Sequence, residues 1–124
     1  MNEAIPRRGE IWLTRYSGEP PKRHSVVVVS LDSRNLSRHV DSLLVVPFTS
    51  KADTIGAPTV LKFEPGETGL PQTSYLRAHF ISTMKKSELS ELSGRPLSNR
   101  RMRELCLAIR RAFDPDTPAD NPKI

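Results

Sequence analysis

Residues 22–30 read KRHSVVVVS: three basic side chains run directly into four consecutive valines. A short run of β-branched apolar residues bounded by polar ones reads as a strand buried on both faces. Such a strand holds the residues in front of it firmly, so Lys22, Arg23 and His24 stand at a rigidly supported loop end. The loop itself, SGEPPKRH (17–24), is turn-forming, because Gly18 admits unusual dihedrals and Pro20-Pro21 fits neither a helix interior nor a ladder.

Upstream, RGEIWLTRY (8–16) alternates Ile11 and Leu13 with Trp12 and Thr14 and predicts a first strand; 1–6 is a short tail. Downstream, DSRNLSRHVDS (32–42) is a polar connection with room for one helical turn. LLVVPFTS (43–50) predicts a third strand, in which Pro47 marks an edge, a bulge or the strand's end. After the loop KADTIGAP (51–58), TVLKFE (59–64) predicts a fourth strand. TSYLRAHFIST (73–83) predicts a fifth, with Tyr75, Arg77, His79 and Ile81 sharing a face that is cationic at its centre. KKSELSELSG (85–94) fits a short helical turn or a small strand. The clearest helix is SNRRMRELCLAIRRAF (98–113): Ser98 is a good N-cap, and Met102, Leu105, Cys106, Ile109 and Phe113 follow helical spacing.

Five strands and one terminal amphipathic helix make an α+β domain, with short strands favouring a small, curved, barrel-like sheet that the helix closes on one side. The expected organisation is a single domain over 1–113 and a disordered, proline-rich tail over 114–124. The chain has 124 residues, 36% of them hydrophobic, and one cysteine. Cys106 alone makes no internal disulfide and no cysteine-rich zinc site, and reads as a small core residue. No stretch approaches the ~20 apolar residues of a membrane span, and no signal segment opens the chain, so the expected location is the cytoplasm. The net charge is +5. It is concentrated: residues 84–111 hold eight Lys/Arg against three Glu, and the remainder balances. A localised basic surface suits a polyanion or an acidic partner, though a solvated face reads the same way.

His24, His39 and His79 show no ligand spacing, so no metal or other cofactor is expected. There is no phosphate-cradling glycine loop and no nucleophile-elbow serine. What remains is a set of polar residues at loop ends: Glu19, Lys22, Arg23, His24, Thr49, Ser50, Arg77 and His79, with Arg15 at the end of the first strand. Metal-free RNA cleavage needs groups of these kinds: a base for the 2'-OH, an acid for the departing 5'-oxygen, and cations and hydroxyls for the charge on phosphorus. Each also has an ordinary reading as a solvated charge or a strand-end hydroxyl.

RGEIW, then a Gly-Glu loop running into a basic residue and a Val-rich strand ending in Ser, resembles the MazF/PemK-type toxin family. So do VVPFTS (45–50), TGLPQTSYL (68–76) leading into ISTMKKSEL (81–89), and the final helix. The ordered set runs from about Arg8 to Phe113. The resemblance implies an SH3-like β-barrel of five to seven strands with a C-terminal helix, and a homodimer. It also implies metal-independent, sequence-specific cleavage of single-stranded RNA, and an acidic antitoxin as partner.

In the family an Arg before the apolar strand and a Thr ending the next carry catalysis, and a Glu five residues ahead of that Arg assists in some members. On this chain those positions are His24, with Arg23 just before it, Thr49 and Glu19. Lys22, Ser50, Arg77, His79 and Arg15 are the expected RNA contacts. This sequence departs from the pattern in having His-Ser for Arg-Pro at 24–25, and His79-Phe80 where an acidic or polar residue and Gln are usual. Imidazole can stand in for the arginine because it both donates and accepts a proton near neutral pH. Two other functions remain open: a CcdB-type gyrase poison that shares the fold without cleaving RNA, and a nucleic-acid-binding barrel. The chain's seven aromatics, mostly at core positions, disfavour the latter.

Overall fold

The computed structural model describes residues 5–51 and 57–118. The sheet is built around β3 (Ser42–Thr49), the longest strand. On one side β3 pairs antiparallel with β2 (Ser25–Val28), Val26 opposite Pro47, Val27 opposite Val46 and Val28 opposite Val45. On the other side it has two partners in turn: β6 (Ser82–Lys85) along Ser42–Val45, and β5 (Ser74–Arg77) at Phe48–Thr49. β1 (Ile11–Thr14) joins β2 to β7 (Leu89–Leu92), and β4 (Val60–Phe63) pairs with β5. The order is β4-β5-β3-β2-β1-β7, with β6 beside β3.

This is the expected α+β fold, with seven strands and the terminal helix. The sheet curls without closing: β4 and β7 are its two ends.

Pro47 lies in a central strand. Val29 N–H donates to Leu44 O, so alternate residues of β3 bond to β2 and Pro47 faces the other way. There it meets the gap between β6 and β5, where a missing N–H breaks no ladder bond. The four valines are buried on both faces of the sheet. Val27 and Val29 join Ile11, Val46, Phe63 and Leu76 under the terminal helix. Val26 and Val28 join Trp12, Leu43, Val45 and Leu89 on the opposite face.

That helix, α3 (Asn99–Arg111), starts as its sequence predicts, with Ser98 Oγ accepting Arg101 N–H at 3.2 Å. Met102, Leu105 and Ala108 are its buried residues. Phe113, expected on the same stripe, lies past the helix end and is 72% exposed. Cys106 is half-buried, its Sγ accepting from the Arg8 guanidinium at 2.9 Å.

The fifth strand differs most from expectation. It breaks at a 3₁₀ turn, Ala78–Phe80, and resumes as β6. Ala78 is fully buried, and Ile81 N–H bonds back to Ala78 O, so the alternation that set Arg77 and His79 on one face ends at Arg77. Residues 85–94 supply both readings, a 3₁₀ turn (Lys86–Glu88) and then β7.

Two one-turn helices complete the chain, α1 (Asp32–Asn35) and α2 (Pro65–Thr68). Of the expected tail, residues 119–124 lie outside the described residues, as do 1–4 and 52–56. Within 114–118, Asp114 accepts from the Asp116 N–H and the Thr117 hydroxyl. Among the described residues no helix is long and apolar enough to cross a membrane.

Leu105→Ala should cost about 2–5 kcal/mol in urea unfolding, whereas Phe113→Ala should stay within about 0.5 kcal/mol. A second expectation concerns acid. Asp32 Oδ1 accepts from Arg8 N–H at 2.7 Å and from Asn35 Nδ2 at 3.0 Å, which holds its carboxyl below the ordinary value of 3.8. Stability of this kind is present above pH 3.8 and is lost as pH falls through the depressed value. Asp32→Asn should therefore cost about 1 kcal/mol at neutral pH and flatten the acid limb of a stability–pH curve.

Candidate functional site

The loop before β2 is a closed hairpin. Ser17 and Lys22 exchange both backbone hydrogen bonds, at 2.9 and 2.8 Å. Gly18 takes φ +87°, which a side chain would strain, and Glu19 projects from the exposed tip. Lys22 is exposed on the return leg, from which the chain enters β2 through Arg23 and His24.

Strand alternation sends those two side chains to opposite faces. Arg23 turns toward β1 and β7. Its Nε donates to Thr14 O at 3.1 Å, one terminal nitrogen pairs with Glu91 Oε1 at 2.7 Å, and the guanidinium lies over the Tyr16 ring at 5.2 Å. The bond to Glu91, above all, raises its pKa beyond the ordinary arginine value. Arg23 is a fixed, permanent charge.

His24 has the opposite character. Its backbone is pinned, with N–H donating to Thr14 Oγ1 at 3.0 Å and O accepting Thr14 N–H at 2.9 Å, while its ring is exposed. The β2–β3 register carried two residues further sets His24 opposite Thr49 and on the same face. Thr49 pairs with Tyr75 of β5, and its hydroxyl accepts Lys51 N–H at 3.1 Å. Ser50 follows, exposed. Arg77 falls on this face too, beside Pro47, with its guanidinium over the Phe80 ring at 4.4 Å.

His79 is carried out of line by the 3₁₀ turn. Its Nδ1 lies 3.0 Å from Thr59 Oγ1, and its ring is edge-on to Phe80. Glu19 stays at the exposed hairpin tip and is not among the residues lining the groove beside His24.

Beside His24 opens a groove of about 320 Å³, with Val26, Val45, Pro47 and Met84 as apolar surface and Arg15, Ser17, Ser82 and Glu88 as polar surface. Arg15 is held in it by Nε donating to Ser87 O at 2.6 Å. Sequence reasoning missed Thr14, Glu88 and Glu91. The last two come from 85–94, whose pairing with β1 crosses more than seventy residues and leaves no local signal. Among the described residues no group of three His, Cys, Asp or Glu is placed to hold a metal ion.

Two arginines at the start of the helix are engaged within the fold. Arg100 pairs with Glu104 at 2.8 Å. Arg101 pairs with Glu67 and Glu104 and lies 3.9 Å from the Phe63 ring centroid.

The sequence profile of PemK-like, MazF-like toxins of type II toxin–antitoxin systems matches residues 7–113. The chain belongs to this family. A mycobacterial endoribonuclease solved in complex with its cognate antitoxin is 26% identical, with TM-score 0.72 over 91% of this chain and 99% of the other. A further mycobacterial endoribonuclease is also 26% identical, with TM-score 0.71 over 95% and 100%. A MazF toxin of Mycobacterium tuberculosis, 22% identical, shares the fold at TM-score 0.68 over 85% and 96%. No curated protein sequence matches the chain. Within this PemK/MazF-like toxin, the pair at the mouths of β2 and β3 is His24 and Thr49, with Arg23 turned away.

Glu91→Gln should loosen that turned-away arginine. The Arg23 Nε proton should exchange faster by NMR than in the parent protein, while the circular dichroism spectrum is kept. An unchanged rate would mean that Thr14 O and the Tyr16 ring hold Arg23 by themselves.

Proposed function

We propose that this toxin is an endoribonuclease that cuts single-stranded RNA in the cytoplasm without a metal ion, acts as a homodimer, and is restrained by an acidic antitoxin. The observation that carries the reading is the shared face of His24 and Thr49 beside an open groove with cationic residues at its edge. The cognate antitoxin bound to a 26% identical endoribonuclease supports the partner.

In the proposed reaction the 2'-OH loses its proton to a base and its oxygen attacks the adjacent phosphorus. The P–O5' bond breaks, the 5'-oxygen takes a proton, and a 2',3'-cyclic phosphate remains. His24 returns a proton to the leaving oxygen, and Glu19, at the hairpin tip five residues before it, is the base that the family pattern assigns. Thr49 donates its hydroxyl to a non-bridging oxygen, where charge accumulates. Arg23 supplies positive potential from behind His24. Lys22, Arg15, Ser50 and Arg77 lie along the path of the flanking phosphates, and His79 contacts the strand further out.

The purified protein should cut single-stranded RNA in EDTA and leave cyclic-phosphate ends. His24→Ala should lower kcat/KM by about 100-fold or more, and Thr49→Ala by about 100-fold. Full activity in Arg23→Ala/His24→Ala, or cleavage abolished by EDTA, would overturn the assignment.

A further inference from the structure

The groove beside His24 holds a group that the cleavage step does not use. Glu88 is the only carboxylate among its lining residues. Its backbone is fixed from two sides. Arg15 N–H donates to Glu88 O at 2.9 Å, Arg15 Nε to Ser87 O at 2.6 Å, and Lys86 N–H to Asp41 O at 2.8 Å. The 3₁₀ turn therefore presents Glu88 at a defined place on the rim, the condition a recognition group needs. Among the described residues no cation pairs with its carboxylate.

A lone carboxylate on a groove that receives a polyanion repels phosphate, so it is suited to a site where the ligand shows hydrogen-bond donors. In single-stranded RNA those donors are on the Watson–Crick edges of unstacked bases. The rest of the groove fits a base as well. Half-buried Pro47 and Met84, over a floor of buried Val26 and Val45, offer apolar surface to a flat ring, and about 320 Å³ is at the lower end of the size range of small-ligand sites, ~300–1,000 Å³.

We infer that Glu88 reads a guanine in the nucleotide next to the scissile phosphate. This deepens the endoribonuclease reading above and rests on it. Only guanine sets two N–H groups, N1–H and N2–H, side by side where both carboxylate oxygens accept. Adenine and cytosine place a ring-nitrogen acceptor beside their amino group, and uracil flanks its one N–H with two carbonyls, so each turns an acceptor toward the carboxylate. His24 lines the groove, and the β2–β3 register carried two residues beyond Val26 and Pro47 brings it level with Thr49, so the base read is taken to adjoin the cut.

The test is to digest a random-sequence RNA pool in EDTA and sequence the ends. The parent protein should favour guanine at one position beside the cut by about fivefold or more. Among the cuts that Glu88→Ala still makes, that preference should fall below about twofold. Glu88→Gln should shift it toward adenine and cytosine, whose amino group and ring nitrogen match a carboxamide's acceptor and donor.

Cutting with no guanine preference, or with a preference that Glu88→Ala leaves intact, overturns the inference while the endoribonuclease reading stands. If the parent protein cuts nothing, that reading fails, and binding decides the groove. NMR titration with guanosine monophosphate should shift Met84 and Glu88 signals more than uridine monophosphate does, and Glu88→Ala should remove the difference. Equal or absent shifts overturn the groove assignment as well.

Discussion

The antiparallel register of β2 on β3 is the constraint on which the rest depends. A slip by one residue would exchange every side chain between the two faces of the sheet. Four valines are equally content on either face, so burial alone barely distinguishes the two registers. The choice is made at the strand ends. Pro47 must face the gap between β6 and β5, because turned toward β2 it would leave a carbonyl there without its donor. Ser30 Oγ takes Leu44 N–H at 3.0 Å and gives its own proton to Asn35 Oδ1 at 2.6 Å, both near the start of β3. Leaving such buried groups unpaired costs about 1–3 kcal/mol each. The same register, carried two residues past Val26 and Pro47, brings His24, and neither Arg23 nor Ser25, level with Thr49.

What could be read in the sequence follows from how local the determining physics is. β2 was legible because a β-branched run has one good conformation, and α3 because its cap and apolar stripe lie within one segment. Strand ends alone pointed to a set of eight loop-end polar residues that includes His24 and Thr49, and only the family pattern singled out that pair. The break at Ala78–Phe80 was not legible: TSYLRAHFIST alternates well enough for one strand, and only the change of β3's partner from β5 to β6 shows that the chain must turn. Phe113 misled for a related reason. Helical spacing continues past Arg111, but the helix does not.

The direction of Arg23 was hidden by distance. Glu91, Tyr16 and Thr14 hold its guanidinium, and Glu91 is 68 residues away. The basic region of the sequence behaves similarly. Arg100 and Arg101 sit in the first turn of α3, where the helix dipole disfavours cations. Glu104 on the same helix and Glu67 on α2 neutralise them. A charge count along the chain therefore overstates the cationic surface at that end of the fold. The permanent cation lining the groove, Arg15, comes instead from the part of the chain whose charges balance.

With Arg23 fixed, the reversed order of basic residues at 23–24 has a physical meaning within the proposed mechanism. An arginine at the start of the strand can hold charge and donate hydrogen bonds, but it does not give up a proton at working pH. An imidazole in its place can transfer a proton and yet loses its charge when neutral. A lone histidine would thus trade electrostatic support for proton transfer. Here the adjoining residue returns the charge: Arg23, held by Glu91 with its pKa raised, stays cationic whatever His24 carries. The two residues divide a task between opposite faces of one strand, and the alternation that separates their side chains makes the division possible.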